Sequence, residues 1–129
     1  MIMKVQTNQL SGMALDYAVA IAQGYTDIGW YMPTRHNDRG HIEVRFNPSV
    51  KWRDRYDPTQ NWFYGGPIIE REWISIYHVG VSYWKADRAG LDLGVGSTAL
   101  EAAMRCYVSF KLGDSVEIPF VTVPEEQNG

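Results

Sequence analysis

Apolar residues recur at three- and four-residue steps in two stretches of this chain and alternate with polar ones in several shorter stretches, as mixed helix-and-strand proteins require. Leu10, Met13, Tyr17 and Ile21 form the first helical stripe. Ser11 is a suitable N-cap for it, and Gly24 a suitable residue to end it. Beside the stripe, Ala14, Ala18 and Ala22 make a ridge of small side chains over which another element can approach closely. Leu100, Met104, Tyr107, Val108 and Leu112 form the second stripe, with Glu101, Arg105 and Lys111 facing water. Thr98 and Glu101 fit a capping box, Lys111 suits the negative end of the helix dipole, and Gly113 ends the helix.

Strand signals are shorter. Met1 to Gln6 reads as one strand, and Ile42, Val44 and Phe46, alternating with His41, Glu43 and Arg45, as another. Trp73 to His78 and Val81 to Ala86 predict two strands joined by a turn near Val79-Gly80, and Val116 to Ile118 a final edge strand. Tyr25 to Gly40 has turn formers and no period, so it reads as a loop or a pair of turns. Lys51 to Gly66 reads as an ordered irregular loop, after which Pro67 starts a helical turn over Ile68 to Glu72. The fold class expected is α+β: a small, mostly antiparallel sheet with two helices packed on one face. Residues 1–123 form a single domain, with 26–55 as a loop or hairpin extension and 124–129 as a frayed acidic tail.

The 129 residues, 45% hydrophobic and 13% aromatic, suffice for one core without a metal or disulfide staple. Cys106, the single cysteine, has no partner within the chain, which fits a reducing cytoplasm. The apolar run Ala18 to Ala22 is far too short to cross a bilayer, so no membrane partner is expected. Charge is uneven. Residues 34–56 carry six basic side chains against three acidic ones, whereas residues 57–129 carry five against ten. The basic segment also holds Phe46, Trp52 and Tyr56, so nucleic-acid binding through 34–56 stands as an alternative function. Its small net charge makes the attraction weak at cellular salt.

The candidate chemistry is thin. Gly94-Val95-Gly96-Ser97-Thr98-Ala99 fits a dinucleotide fingerprint, with Asp114 downstream, but a second parallel strand to carry the acid is missing. A flexible glycine loop before a capped helix is the simpler reading. His36, Asp38 and His41 share a turn without a recognised zinc spacing or a fourth ligand. Cys106 lies beside Ala102 and Ala103, where a small buried thiol is common. No catalytic residue, metal or cofactor is assigned. A second alternative is a small enzyme in which Asp16, Glu70, Arg71, His78 and Arg105 converge.

The most distinctive stretch runs from Tyr56 to Arg71, with four aromatics, two prolines and a Gly-Gly pair and no hydrophobic period. Large amphipathic rings on a stiff backbone suit recognition. The expected partner-binding surface is Tyr56, Pro58, Trp62, Tyr64, Gly65, Gly66 and Pro67, with Glu70, Arg71 and Arg105 as a polar rim. The competing explanation is that Trp62 and Tyr64 fold back and roof the core.

Four blocks carry a family resemblance. Leu10 to Ala20 is similar to L-T-G-x-A-L-D-W-A-V-A, and Tyr56 to Arg71 to Y-S-P-S-T-D-W-x-x-G-G-P-I-I-E-R. Thr98 to Asp114 is similar to T-P-L-I-A-A-M-R-C-Y-V-x-x-K-x-G-D, and Val116 to Pro119 is the short ending. Together they resemble the phage family called NinX. Asp57, Asn61 and Ala99 depart from the serine, aspartate and proline of that pattern, and Thr26 to Arg55 looks like an extension. The resemblance implies a phage or prophage origin and action in the cytoplasm of a bacterial host, and implies no chemistry. The expected function is therefore a non-catalytic phage accessory protein that binds a host or phage protein; self-association into a homo-oligomer is also compatible with the sequence.

Overall fold

A computed structural model describes residues 2–33 and 39–120. The fold is α+β, with three helices and eight strands among these residues, and every strand pairing is antiparallel. The expected two helices are three. The expected single sheet is three small ones, ordered β1-β8, β2-β3-β4 and β5-β6-β7.

Strand β1 (Met3–Gln6) pairs with β8 (Ser115–Ile118), Met3 opposite Ile118, so the two ends of the fold close on each other. Thr7 reinforces this closure: its amide donates to the Asp114 carbonyl and its hydroxyl to the Gly113 carbonyl, both at 2.7 Å. Helix α1 (Gly12–Ala22) follows. The alanine ridge is where it packs, since Ala14, Leu15, Ala18 and Val19 are buried, while Ile21, expected in the buried stripe, is exposed. Leu10 is buried and Met13 and Tyr17 are half-buried against the core, so the packed face is centred on the alanines with the stripe along one side of it.

Residues 25–40 are not only turns. Strand β2 (Ile28–Tyr31) pairs with β3 (His41–Val44), which pairs in turn with β4 (Asp54–Tyr56). A four-residue strand broken by Gly29 has no legible period. Helix α2 (Trp62–Glu72) contains the helical turn expected over Ile68 to Glu72, but it begins at Trp62, inside the last part of the expected irregular loop. Strands β5 (Ser75–Val79), β6 (Tyr83–Arg88) and β7 (Leu91–Gly96) then form a meander, and helix α3 (Ala99–Leu112) lies across it.

Helix α3 is the centre of the fold and packs on α1, α2, β6 and β7. Leu100, Met104, Tyr107 and Val108 are buried as their spacing predicts, and Leu112 is half-buried. Each large side chain removed from water contributes about 1.5–3 kcal/mol before entropy is counted. The Glu101 amide donates to Thr98 Oγ1 at 3.1 Å, as the capping box predicts; the Glu101 carboxylate reaches one residue further back than the box expects and accepts from the Ser97 amide at 2.9 Å.

Gly94 and Gly96 lie in β7, not in a flexible loop. A Cβ on Gly94 would overlap the Ala102 carbonyl oxygen, and one on Gly96 would stand 2.7 Å from the Ala102 amide nitrogen. The glycines that mimic a dinucleotide fingerprint let strand and helix backbones touch. The tail 124–129 lies outside the described residues. No helix among the described residues is long and apolar enough to cross a membrane.

Candidate functional site: an aromatic cleft on helix α2

Residues 57–61 build the start of α2. The amides of Gln60 and Asn61 donate to the Asp57 carbonyl at 3.0 and 2.9 Å, which closes a tight turn. The buried Thr59 amide donates to Asp16 Oδ1 at 2.9 Å and ties this turn to α1. Asn61 then caps α2, its Oδ1 accepting from the Phe63 amide at 3.0 Å. Asparagine is among the strongest N-caps, so this residue suffices to start the helix. An N-cap before an aromatic, Gly-Gly-Pro stretch carries none of the usual periodicity, and for that reason the first part of the helix, Trp62 to Gly66, reads as a loop in sequence. It ends at Trp73, whose φ of 58° is the left-handed conformation normally given to glycine.

Only Gly65 and Ile68 of α2 are buried. Gly65 sets the packing distance: a Cβ there would stand 2.6 Å from Leu100 Cδ2 and 2.7 Å from the Pro58 carbonyl oxygen. With this side against the core, the outward face of the helix carries Trp62, Phe63, Pro67, Glu70 and Arg71. Trp62 is 53% exposed and Phe63 76%. Together with Phe46, Asp54, Tyr64 and Pro67 they line an open cleft of about 660 Å³. Phe46 stacks on Tyr64 with ring centroids 5.8 Å apart, and Phe63 meets Tyr64 edge-on at 5.1 Å. Beneath them Tyr56 and Tyr25 extend the ring cluster into the core.

The expected surface residues divide accordingly. Trp62, Tyr64 and Pro67 line the cleft. Tyr56, Pro58 and Gly65 are buried beneath it, and Gly66 is half-buried on α2 with only ordinary contact distances around it. Burial raises the Tyr56 phenol well above its ordinary range. Glu70 is exposed on the same helix; Arg71 is also exposed and donates to Gln23 Oε1 at 2.7 Å and Glu72 Oε2 at 2.9 Å. Arg105, expected on the water side, points inward. Its guanidinium donates to the Leu10 carbonyl at 2.9 Å and the Val95 carbonyl at 2.7 Å, tying α3 to the entry of α1 and to β7.

Phe46, Asp54 and Phe63 complete the cleft and escaped the sequence reading. Phe46 continues the alternation of Ile42 and Val44, but β3 ends at Val44 and the ring stays 39% exposed. Only the β3–β4 pairing, invisible in the sequence, brings it and Asp54 beside α2.

The other candidates do not assemble. Asp16 is buried against Thr59, and burial pushes its carboxyl up to about 7. His78 packs on Trp84 with ring centroids 4.6 Å apart, and Arg71 and Arg105 are bonded as described. Cys106 is buried in α3, where loss of solvent pushes its thiol up to about 11. Of the possible metal ligands, His36 and Asp38 lie outside the described residues, and His41 is 3.1 Å from Glu43. No cluster of metal-ligating side chains occurs among the described residues. In the basic segment, Arg45 and Arg53 both pair with Asp27, at 2.5 and 2.8 Å, and Arg55 stands 3.9 Å from Asp57. Much of the charge offered to a polyanion is thus held within the protein itself.

The family described as Bacteriophage P22, NinX matches residues 6–111, a span that includes α1, α2, all but the last residue of α3, and every residue lining the cleft. No curated protein matches the chain.

Proposed function

The chain belongs to the bacteriophage NinX family, and from that premise we propose that it is a non-catalytic accessory protein that binds a host or phage protein through the α2 cleft, in the cytoplasm of the infected bacterium. One observation carries the reading. The helix buries a glycine and an isoleucine and turns a tryptophan and a phenylalanine outward, at 53% and 76% exposure. Exposed large rings clustered in one concavity cost solvation free energy in the free protein, and that cost is recovered when a partner covers them. Aromatic anchors of this kind dominate protein interfaces. Enzyme chemistry finds less support, since Asp16, Arg71, His78 and Arg105 are each engaged with different neighbours.

The test is affinity capture from bacterial lysate with the wild type and with Trp62→Ala and Phe63→Ala. The reading expects one or more proteins to be captured by the wild type and lost with both variants, together with slowed amide exchange over residues 62–66 in the complex. Identical capture by all three proteins removes the cleft from the function.

A further inference from the structure

The cleft has a chemical bias beyond being apolar. Of its six lining residues, four are aromatic and one, Asp54, carries a carboxylate. Asp54 is exposed at the start of β4, and its carboxylate makes no ion pair or hydrogen bond among the described residues, although Arg53 and Arg55 flank it in sequence. Those two arginines are directed elsewhere, Arg53 to Asp27 and Arg55 towards Asp57. The negative charge is felt inside the cleft: after burial, the carboxylates of Asp54 and Asp57 are what push the Tyr64 phenol up.

Electron-rich ring faces beside a carboxylate that no cation of the described residues pairs with favour a planar, donor-rich cation. The volume of about 660 Å³ exceeds one side chain and accommodates the neighbouring residues of an extended segment.

Resting on the cleft reading above, we infer that its occupant is an arginine-bearing extended segment of the partner protein, with the guanidinium against the rings of Trp62 and Phe63 and its N–H groups directed to Asp54. Arginine fits better than lysine because its planar group stacks on a ring and still donates sideways.

Three capped pentapeptides test this: Gly-Ala-Arg-Ala-Gly, the same sequence with citrulline, which keeps the shape and removes the charge, and the same with leucine. Each is titrated to millimolar concentration against the full chain while the Trp62 indole and Phe63 ring resonances are followed by NMR. The inference expects saturable shifts with the arginine peptide and about tenfold weaker binding of the citrulline peptide. It also expects Asp54→Asn to abolish that difference without changing the unfolding midpoint, and Phe63→Ala to weaken the arginine peptide. Equal binding of arginine and citrulline peptides, or a difference that survives Asp54→Asn, overturns the cation. Binding of the leucine peptide alone overturns it too, and leaves the cleft standing as an apolar docking site. Silence from all three peptides overturns the inference, and the capture experiment then decides separately whether the cleft binds a partner.

Discussion

Thr59 donates its backbone amide to Asp16 Oδ1 at 2.9 Å, joining α1 to the turn that launches α2. The carboxyl is buried, and loss of solvent raises it from 3.8 to about 7, outweighing the pull of the Thr59 amide and of Arg39 towards ionisation; nearby Asp57 raises it further. The folded state therefore holds a proton at Asp16 that the unfolded chain releases near pH 4. The stabilisation this gives is complete below the unfolded value and is lost as pH rises through the folded one. Between pH 5 and pH 7 the unfolding free energy should fall by roughly 2 kcal/mol from this group. Asp16→Asn keeps an acceptor for the Thr59 amide and cannot ionise. Urea unfolding at the two pH values should show the wild type losing stability relative to Asp16→Asn; parallel curves would contradict the assignment.

The two glycines of the Gly-Gly-Pro run are adjacent and have opposite roles. Gly65 faces Leu100 and the Pro58 carbonyl, with no space for a Cβ, while the nearest atom to a Cβ on Gly66 is Trp62 Cε3 at 3.9 Å. Gly65→Ala should destabilise the fold by about 1–3 kcal/mol, since the backbone carbonyl of Pro58 gives way less readily than a side chain. Gly66→Ala should stabilise it by about 0.5–1 kcal/mol, the ordinary gain of alanine over glycine inside a helix. Denaturation midpoints of the two single variants decide it. Shifts of the same sign would mean that α2 does not sit against α3 at this point.

Much of the fold is legible in the sequence, and the parts that are not share a physical cause. Helix α3 follows from periodicity because its buried side chains are large, and its cap follows from Thr98 and Glu101. Helix α1 is legible as an element but not in its orientation, because alanines signal close packing without saying which large neighbours point away. Helix α2 is hidden. Its core side is a glycine and one isoleucine, its outer side holds the rings, and Pro67 stands within it. These features invert the usual pattern. The aromatic surface was thus legible at Trp62, Tyr64 and Pro67, whereas Phe46 and Asp54 join it only through strand pairing across a long connection.

Trp62 and Phe63 contribute to binding and little to the fold if they are anchors. Both are largely exposed, so Trp62→Ala and Phe63→Ala should change the unfolding free energy by no more than about 0.5–1 kcal/mol. Phe46→Ala should cost more, near 1–2 kcal/mol, because this ring also packs on Tyr25, Tyr56 and Tyr64. Thermal or urea denaturation of the three variants separates the two classes. A large loss from Phe63→Ala would place that ring in the core and reduce the cleft to a packing defect.

Arg105 distinguishes a structural strut from a binding rim. Its guanidinium spans the Leu10 and Val95 carbonyls and contacts Glu101 Oε1 at 3.3 Å, with the side chain 15% exposed. Removing it leaves two carbonyls and a carboxylate short of a donor, so Arg105→Ala should cost about 2–3 kcal/mol. Arg105→Lys should recover only part of this, because an ammonium on a flexible stem does not reproduce the fork that reaches two backbone groups at once. Neither change touches the cleft. In whatever fraction remains folded, the Trp62 indole resonance and the affinity for the captured partner should match the wild type. A variant that keeps its stability and loses the partner would return Arg105 to the binding surface.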